Sequence, residues 1–232
     1  GADAGDAGDA GADADAGADA GAGADAGAWF VRFGSGNRDL VTGVAVDAEG
    51  NTFVVGTSET GLWEFDDIFL AKFAASGAEL WMRVVASTPP GTENRQDRAM
   101  AVAADPDGNA YVTGFTQGSF DGGTFALPTS QHETFVMKFD GDGEVLWSRQ
   151  FADTKGYAEG YAVSARGDGG VVVAGYSGTG GDVRVMELSP NGDLAWDVRF
   201  GSKGSDTAYA VATDPGGGIF LAGETSGFNL DG

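Results

Sequence analysis

Cysteine is absent from this 232-residue chain, histidine occurs once, at His132, and proline six times. Without thiols there is neither a disulfide framework nor a thiolate zinc site. A single histidine leaves no Ser-His-Asp set to assemble, and a lone loop histidine with no evident partner reads as a solvated side chain. Positive charge is scarce: 13 Lys and Arg stand against 35 Asp and Glu, a net charge of −22. A phosphate backbone needs a basic surface, so nucleic acid is not an expected partner, and an anionic bilayer is repelled for the same reason. No apolar run approaches the roughly 18–20 residues that span a membrane. Long helices are also missing, because 41 glycines are spread along the chain and no segment holds a 3.6-residue apolar period. No Gly-rich loop lies between a strand and a helix, so the glycines carry no nucleotide-binding meaning.

What is present falls into two parts. Residues 1–28 contain only Gly, Ala and Asp, with seven aspartates at irregular intervals. Such a segment has no apolar face to set against its ordering entropy, and a disordered, self-repelling spacer is expected. A calcium-binding repeat would need a regular period, which these aspartates do not keep. A spacer separates a domain from something else. With Gly rather than Met at position 1, the expectation is an upstream signal peptide or lipidated cysteine, and a secreted or surface-tethered location outside the cytoplasm.

Residues 29–232 repeat. Trp29, Trp81, Trp147 and Trp196 recur at spacings of 52, 66 and 49 residues. Trp29-Phe30-Val31-Arg32-Phe33-Gly34-Ser35 returns as Trp196-Asp197-Val198-Arg199-Phe200-Gly201-Ser202. Asp47-Ala48-Glu49-Gly50-Asn51-Thr52-Phe53-Val54-Val55-Gly56 returns as Asp105-Pro106-Asp107-Gly108-Asn109-Ala110-Tyr111-Val112-Thr113-Gly114. A repeat of this size is one supersecondary unit stacked on copies of itself.

Each unit reads as four strands, A to D. Strand A is rich in small residues (44–46, 101–104, 161–163, 210–212), and strand B ends in Gly56, Gly114, Gly175 or Gly223. Short turns at Gly50, Gly108, Gly169 and Gly217 join A to B, where glycine supplies the positive φ of a hairpin. Strand C decides the architecture. Ile68, Phe69, Leu70, Ala71 and Phe73 are apolar on both faces, as are Phe135, Val136, Met137 and Phe139. A sandwich strand buries one face and alternates; a strand buried on both faces fits four-stranded sheets stacked around an axis, a β-propeller. The small residues of strand A then line the axis, and each Trp is expected to be largely buried at the outer rim.

These motifs resemble the bacterial SBBP-type β-propeller repeat: Trp-x-x-x-Phe-Gly-Ser, an Asp at Asp39, Asp97 and Asp206, Asp-x-x-Gly-Asn-x-aromatic-Val-x-Gly, and Phe-Val-x-Lys-Phe. The third unit departs, with Ala158 and Arg166 in place of two aspartates and Glu187 in place of the strand C lysine. The resemblance implies an extracytoplasmic propeller of lipoproteins or large surface proteins, with no general catalytic activity and no fixed ligand.

The expected fold is therefore all-β: a partial propeller after a disordered spacer. Three complete blades are expected at about 42–86, 99–151 and 160–200, with a partial blade at 208–232 and a lone D strand at 29–33. A seven-blade ring needs roughly 350 residues, so the chain reads as the N-terminal part of a longer protein whose open edges self-associate. Asp39, Asp97 and Asp206 read as structural Asx turns. Asp140-Gly141-Asp142-Gly143 reads as a hairpin turn rather than a calcium loop, since later carboxylates are lacking. Length variation is confined to one end of the blades, at 86–97 and 117–133. That end displays the candidate binding residues Asn94, Arg95, Gln96, Phe120 and His132. The leading expectation is a non-catalytic binding or scaffold protein, without cofactor or metal, taking an unidentified protein or glycan on the variable-loop face. The alternative is a glycan-active or quinone-dependent propeller enzyme whose catalytic residues lie mostly in blades outside this sequence. A purely structural repeat of a giant surface protein is the third reading.

Overall fold

Seven turns of one kind set the frame. Each spans five residues (47–51, 74–78, 105–109, 140–144, 166–170, 189–193 and 214–218). In each, the fourth residue's N–H and the first residue's N–H bond back across the turn, as Gly50 N to Asp47 O (3.1 Å) and Asp47 N to Asn51 O (3.0 Å) do in the first. Gly50, Gly108, Gly169 and Gly217 have φ between 79° and 88°, a left-handed conformation that a side chain would strain. At Asp214 the carboxylate accepts the backbone N–H four residues on, and at Asp47 and Asp105 it accepts the backbone N–H groups two and four residues on. Asp140 does the same for Asp142 and Glu144, so the Asp-Gly-Asp-Gly segment is a hairpin turn whose carboxylate is already engaged.

The computed structural model describes residues 29–32, 34, 38–60, 65–87, 96–120 and 131–227. The spacer at 1–28 and residues 228–232 lie outside them. The described residues contain no helix and fourteen strands. The first antiparallel sheet runs β1 (Asp39–Val46), β2 (Thr52–Thr60), β3 (Phe65–Phe73), β4 (Glu79–Val85). The second runs β5 (Asp97–Ala104), β6 (Ala110–Thr116), β7 (Glu133–Phe139), β8 (Val145–Phe151), and the third β9 (Ala158–Ala165), β10 (Val171–Ser177), β11 (Asp182–Leu188), β12 (Leu194–Phe200). A two-stranded sheet, β13 (Asp206–Thr213) with β14 (Ile219–Thr225), follows. Each sheet's first strand packs on the first and second strands of the sheet before it. This is the blade arrangement of a β-propeller. Trp29 to Arg32 do not form the expected lone strand.

The two-faced burial of the middle strands follows from the stacking. In blade two, Val112, Phe135 and Met137 join Phe53, Val55, Ile68 and Leu70 of blade one. The alternate residues Tyr111 and Val136 join Val163, Val171 and Val173 of blade three. Every residue of β6 and β7 is buried. The end blades expose what the inner ones cover. Val44 is 65% exposed, whereas its counterparts Val102 and Val163 are 8% and 9% exposed; Phe220 is 61% exposed, whereas Tyr111 and Val172 are fully buried.

The tryptophans act between blades, but only half-buried rather than largely buried. Each indole N–H of the first three reaches the third-to-fourth-strand turn of the following blade: Trp29 to Ala75 O (3.0 Å), Trp81 to Gly141 O (2.9 Å) and Trp147 to Pro190 O (2.9 Å). Trp196 turns instead to Glu187 of its own blade.

A buried ion pair repeats beside them. Lys72 meets Asp47 and Lys138 meets Asp105, each at 3.3 Å, with both aspartates wholly buried. In blade three the two departures from the repeat are one compensated change: Arg166 and Glu187 stand 3.6 Å apart with their signs exchanged.

Candidate functional site

The inner strands carry the feature that builds the site. Thr42, Met100, Tyr161 and Tyr209 are each left over in the pairing of the first strand with the second, a β-bulge at the same place in every blade. A bulge bends its strand and re-aims a side chain. The bend drives the inner backbone onto the strand B glycine: a Cβ at Gly56, Gly114, Gly175 or Gly223 would overlap the carbonyl oxygen of Leu40, Arg98, Glu159 or Thr207. That close approach explains why strand B carries a glycine at this place in all four units, although each strand runs on past it to Thr60, Thr116, Ser177 or Thr225 rather than ending there.

At the variable-loop end, this repeated frame holds non-repeated side chains. Between blades one and two lies a shallow, open hollow lined by Arg38, Leu40, Thr57, Glu59 and Arg98. The equivalent positions between blades two and three hold Phe115 and Glu159, and those between three and four hold Tyr176 and Thr207, with Tyr209 at the bulge. Strand A is thus not uniformly small, as the sequence suggests.

His132 is the hinge of this region. Its ring stacks on Phe115 at 4.2 Å and 9°, meets Tyr157 edge-on at 4.9 Å, and bonds through Nδ1 to Glu159 Oε1 at 2.5 Å. It is not the solvated loop side chain expected. Glu159 is 9% exposed and also accepts the Tyr161 hydroxyl at 2.6 Å. Tyr161 stacks with Tyr176 at 5.9 Å and touches Tyr209 at 5.7 Å, and the Tyr209 hydroxyl donates to Glu224 at 2.6 Å. Burial, and then its bond to Glu159, push the Tyr161 hydroxyl well above the ordinary phenol range. Burial first, then the Glu159 charge, push Tyr176 up to about 12. Chemically, the arrangement offers aromatic surface, two carboxylates and one oriented imidazole. Among the described residues no group of three or more His, Cys, Asp or Glu could hold a metal ion.

Among the described residues predicted to form a site, only His132 belongs here. Gln96 is exposed and exchanges hydrogen bonds with Gln117. Phe120 packs edge-on against Phe135 at 5.1 Å, beside the core between blades one and two. Asn94 and Arg95 lie outside the described residues. Asp97 and Asp206 are structural, though not as local Asx turns. Asp97 accepts Ser87 N at 2.9 Å and the Thr116 hydroxyl at 2.5 Å, and Asp206 accepts Ser202 N at 2.6 Å. They pin the incoming loop, and Asp97 also ties it to the neighbouring strand. Superposing Asp97-Arg98-Ala99-Met100, Ala158-Glu159-Gly160-Tyr161 and Asp206-Thr207-Ala208-Tyr209 would have marked the missed residues Glu159, Tyr161 and Tyr209.

No protein-family model matches the chain. An uncharacterized WD repeat-containing protein, L264, of Acanthamoeba polyphaga mimivirus is 25% identical over 187 residues, which is 65% of this chain and 13% of that protein. A crystal structure of a protein of unknown function from Bacteroides caccae is similar, with TM-score 0.48 and 19% identity over 79% of this chain and 53% of the other. So are the WD40 domain of Neurospora crassa Pan2 (TM-score 0.46, 13% identity, 80% of this chain and 44% of that one) and a gluconolactonase, XC5397, of Xanthomonas campestris (TM-score 0.44, 16% identity, 78% and 55%). The chain spans about half the length of these solved structures. At such scores the likenesses carry no argument about its chemistry.

Proposed function

We propose that this chain is a non-catalytic ligand-binding propeller that works outside the cytoplasm, with its site at the variable-loop mouth of the inner strands. The observation that supports this is the pattern of sameness and difference. The turns, bulges and strand B glycines repeat in every blade, while the mouth positions change from Leu40 and Thr57, through Arg98, Phe115 and Glu159, to Tyr176, Thr207 and Glu224. Repeat scaffolds carry binding specificity in this way. The resemblance to SBBP-type repeats supports the location, and the acidity favours a protein or glycan ligand over nucleic acid. The test is binding to glycan and peptide arrays by the chain and by Phe115→Ala and Tyr157→Ala variants. Ligands retained equally by the variants would remove the mouth as the site. Turnover of a glycoside panel, lost in His132→Ala, would replace binding with catalysis.

The uncovered faces support a second property, self-association. Val44 and Phe220 occupy positions that every covered blade buries, and exposed apolar faces with open edges promote pairing. Light scattering is expected to show species larger than 23.5 kDa, reduced by Val44→Lys with Phe220→Lys. A strictly monomeric wild-type chain would overturn this.

A further inference from the structure

We propose that the tyrosine cluster between blades three and four binds an organic ammonium group, a reading that rests on the mouth being the ligand site. Tyr161 lies between Tyr176 and Tyr209, and Tyr157 sits on the other side of His132. Tyr157 and Tyr209 are 42% and 53% exposed, so ring surface remains open to a ligand.

Charge decides what the rings receive. Tyr161 donates its hydroxyl to Glu159, and Tyr209 donates to Glu224. A phenol that donates to a carboxylate gains electron density in its ring, and the ring face attracts cations more strongly. Among the described residues, neither carboxylate forms an ion pair with Lys or Arg; His132 on Glu159 is the one basic contact. Two tyrosine hydroxyls satisfy lone pairs without cancelling charge. The cluster is therefore a negative, partly desolvated, aromatic surface on a chain of net charge −22. A neutral sugar would gain ring contact but leave that charge uncompensated. An alkylammonium or quaternary ammonium group answers both features. Two sources share this chemistry, a small amine such as choline and a methylated lysine of a polypeptide.

Calorimetric titration of the whole chain with tetramethylammonium, choline and a trimethyllysine peptide tests this, with 3,3-dimethylbutan-1-ol as the neutral isostere of choline. The ammonium probes should bind and the neutral one should not. Tyr209→Ala and Glu224→Gln should each weaken binding about tenfold, the scale of one cation–π contact or one charge contact. Both residues are exposed, and unchanged thermal midpoints will show that the variants fold. Binding in this pattern by either ammonium source supports the proposal, and the tighter one identifies the source. Equal binding of the neutral alcohol, or ammonium binding untouched by both substitutions, overturns it. If no ammonium binds while an array glycan or unmethylated peptide is lost in the same variants, the ammonium assignment falls and the mouth as ligand site stands.

Discussion

Replacing Lys138 by Met tests the repeated buried ion pair at its copy in blade two. Lys138 Nζ lies 3.3 Å from Asp105 Oδ2, with side-chain exposures of 9% and 0%, and 4.8 Å from the Tyr111 ring centre. Burial alone would lower the Lys138 pKa, but the bonds and charges of Tyr111 and Asp105 outweigh it and leave it raised. Methionine keeps the apolar stem and removes the charge, stranding a buried carboxylate. Breaking such a pair costs about 3–5 kcal/mol. The low end applies, because Asp105 keeps the N–H groups of Asp107 and Asn109 and the Asn109 side chain. Urea unfolding followed by tryptophan fluorescence should show the midpoint falling by about 1.5 M, taking a slope of about 2 kcal/mol/M. Blade three supplies the rescue. There Arg166 replaces the aspartate, and Asp168 accepts the Gly170 N–H instead. Asp107 holds the corresponding place in blade two, so Asp105→Arg added to Lys138→Glu should recover at least half the loss. A cost below about 1 kcal/mol for Lys138→Met, or a double variant no better than its worse single, would refute the argument.

Trp81→Ala should destabilise by about 2–3 kcal/mol, below the cost for a fully buried aromatic, because the ring is half-buried against Phe53 at 6.0 Å; the same urea assay reads it, and 4 kcal/mol or more would show a deeper role. Gly114→Ala should cost about 3 kcal/mol or prevent folding, since the new Cβ meets the Arg98 carbonyl, whereas Gly167→Ala, with nothing within 4 Å, should leave the melting point unchanged. The Asp47 carboxyl is buried, which would raise its pKa, but bonds from Asn51 and Lys72 outweigh this and lower it. Its contribution is therefore present above the unfolded value of about 3.9 and lost as pH falls through the folded value. Asp47→Asn should flatten stability below about pH 4, and an unchanged acid limb would count against the assignment.

Much of the fold was legible because it is local chemistry written four times. Glycine and asparagine at the turns, double-faced apolar runs in strands C and the spaced tryptophans each report a backbone geometry that neighbours in sequence impose. Repetition separates these signals from chance. The blade architecture followed from Ile68 to Phe73 and Phe135 to Phe139 alone, since apolar residues on both faces of a strand demand a sheet on each side. The acidity and the missing thiols weigh against a phosphate backbone and a thiolate metal site as a matter of composition alone.

The site was different. Loop length pointed to Gln96 and Phe120, but length says where a chain has room, not where its side chains converge. The tertiary structure sent Phe120 onto Phe135 and drew His132 onto Glu159, a partner 27 residues away that no spacing announces. The bulge at Tyr161 and Tyr209 is a mismatch between two paired strands, so it exists only once the register is set. Arg166 and Glu187 looked like two separate departures until the sheet brought them together as one reversed pair. Local preference determined the strands and turns of this protein. Which side chains meet was decided by strand register and blade stacking, because those contacts join residues that the chain itself keeps apart.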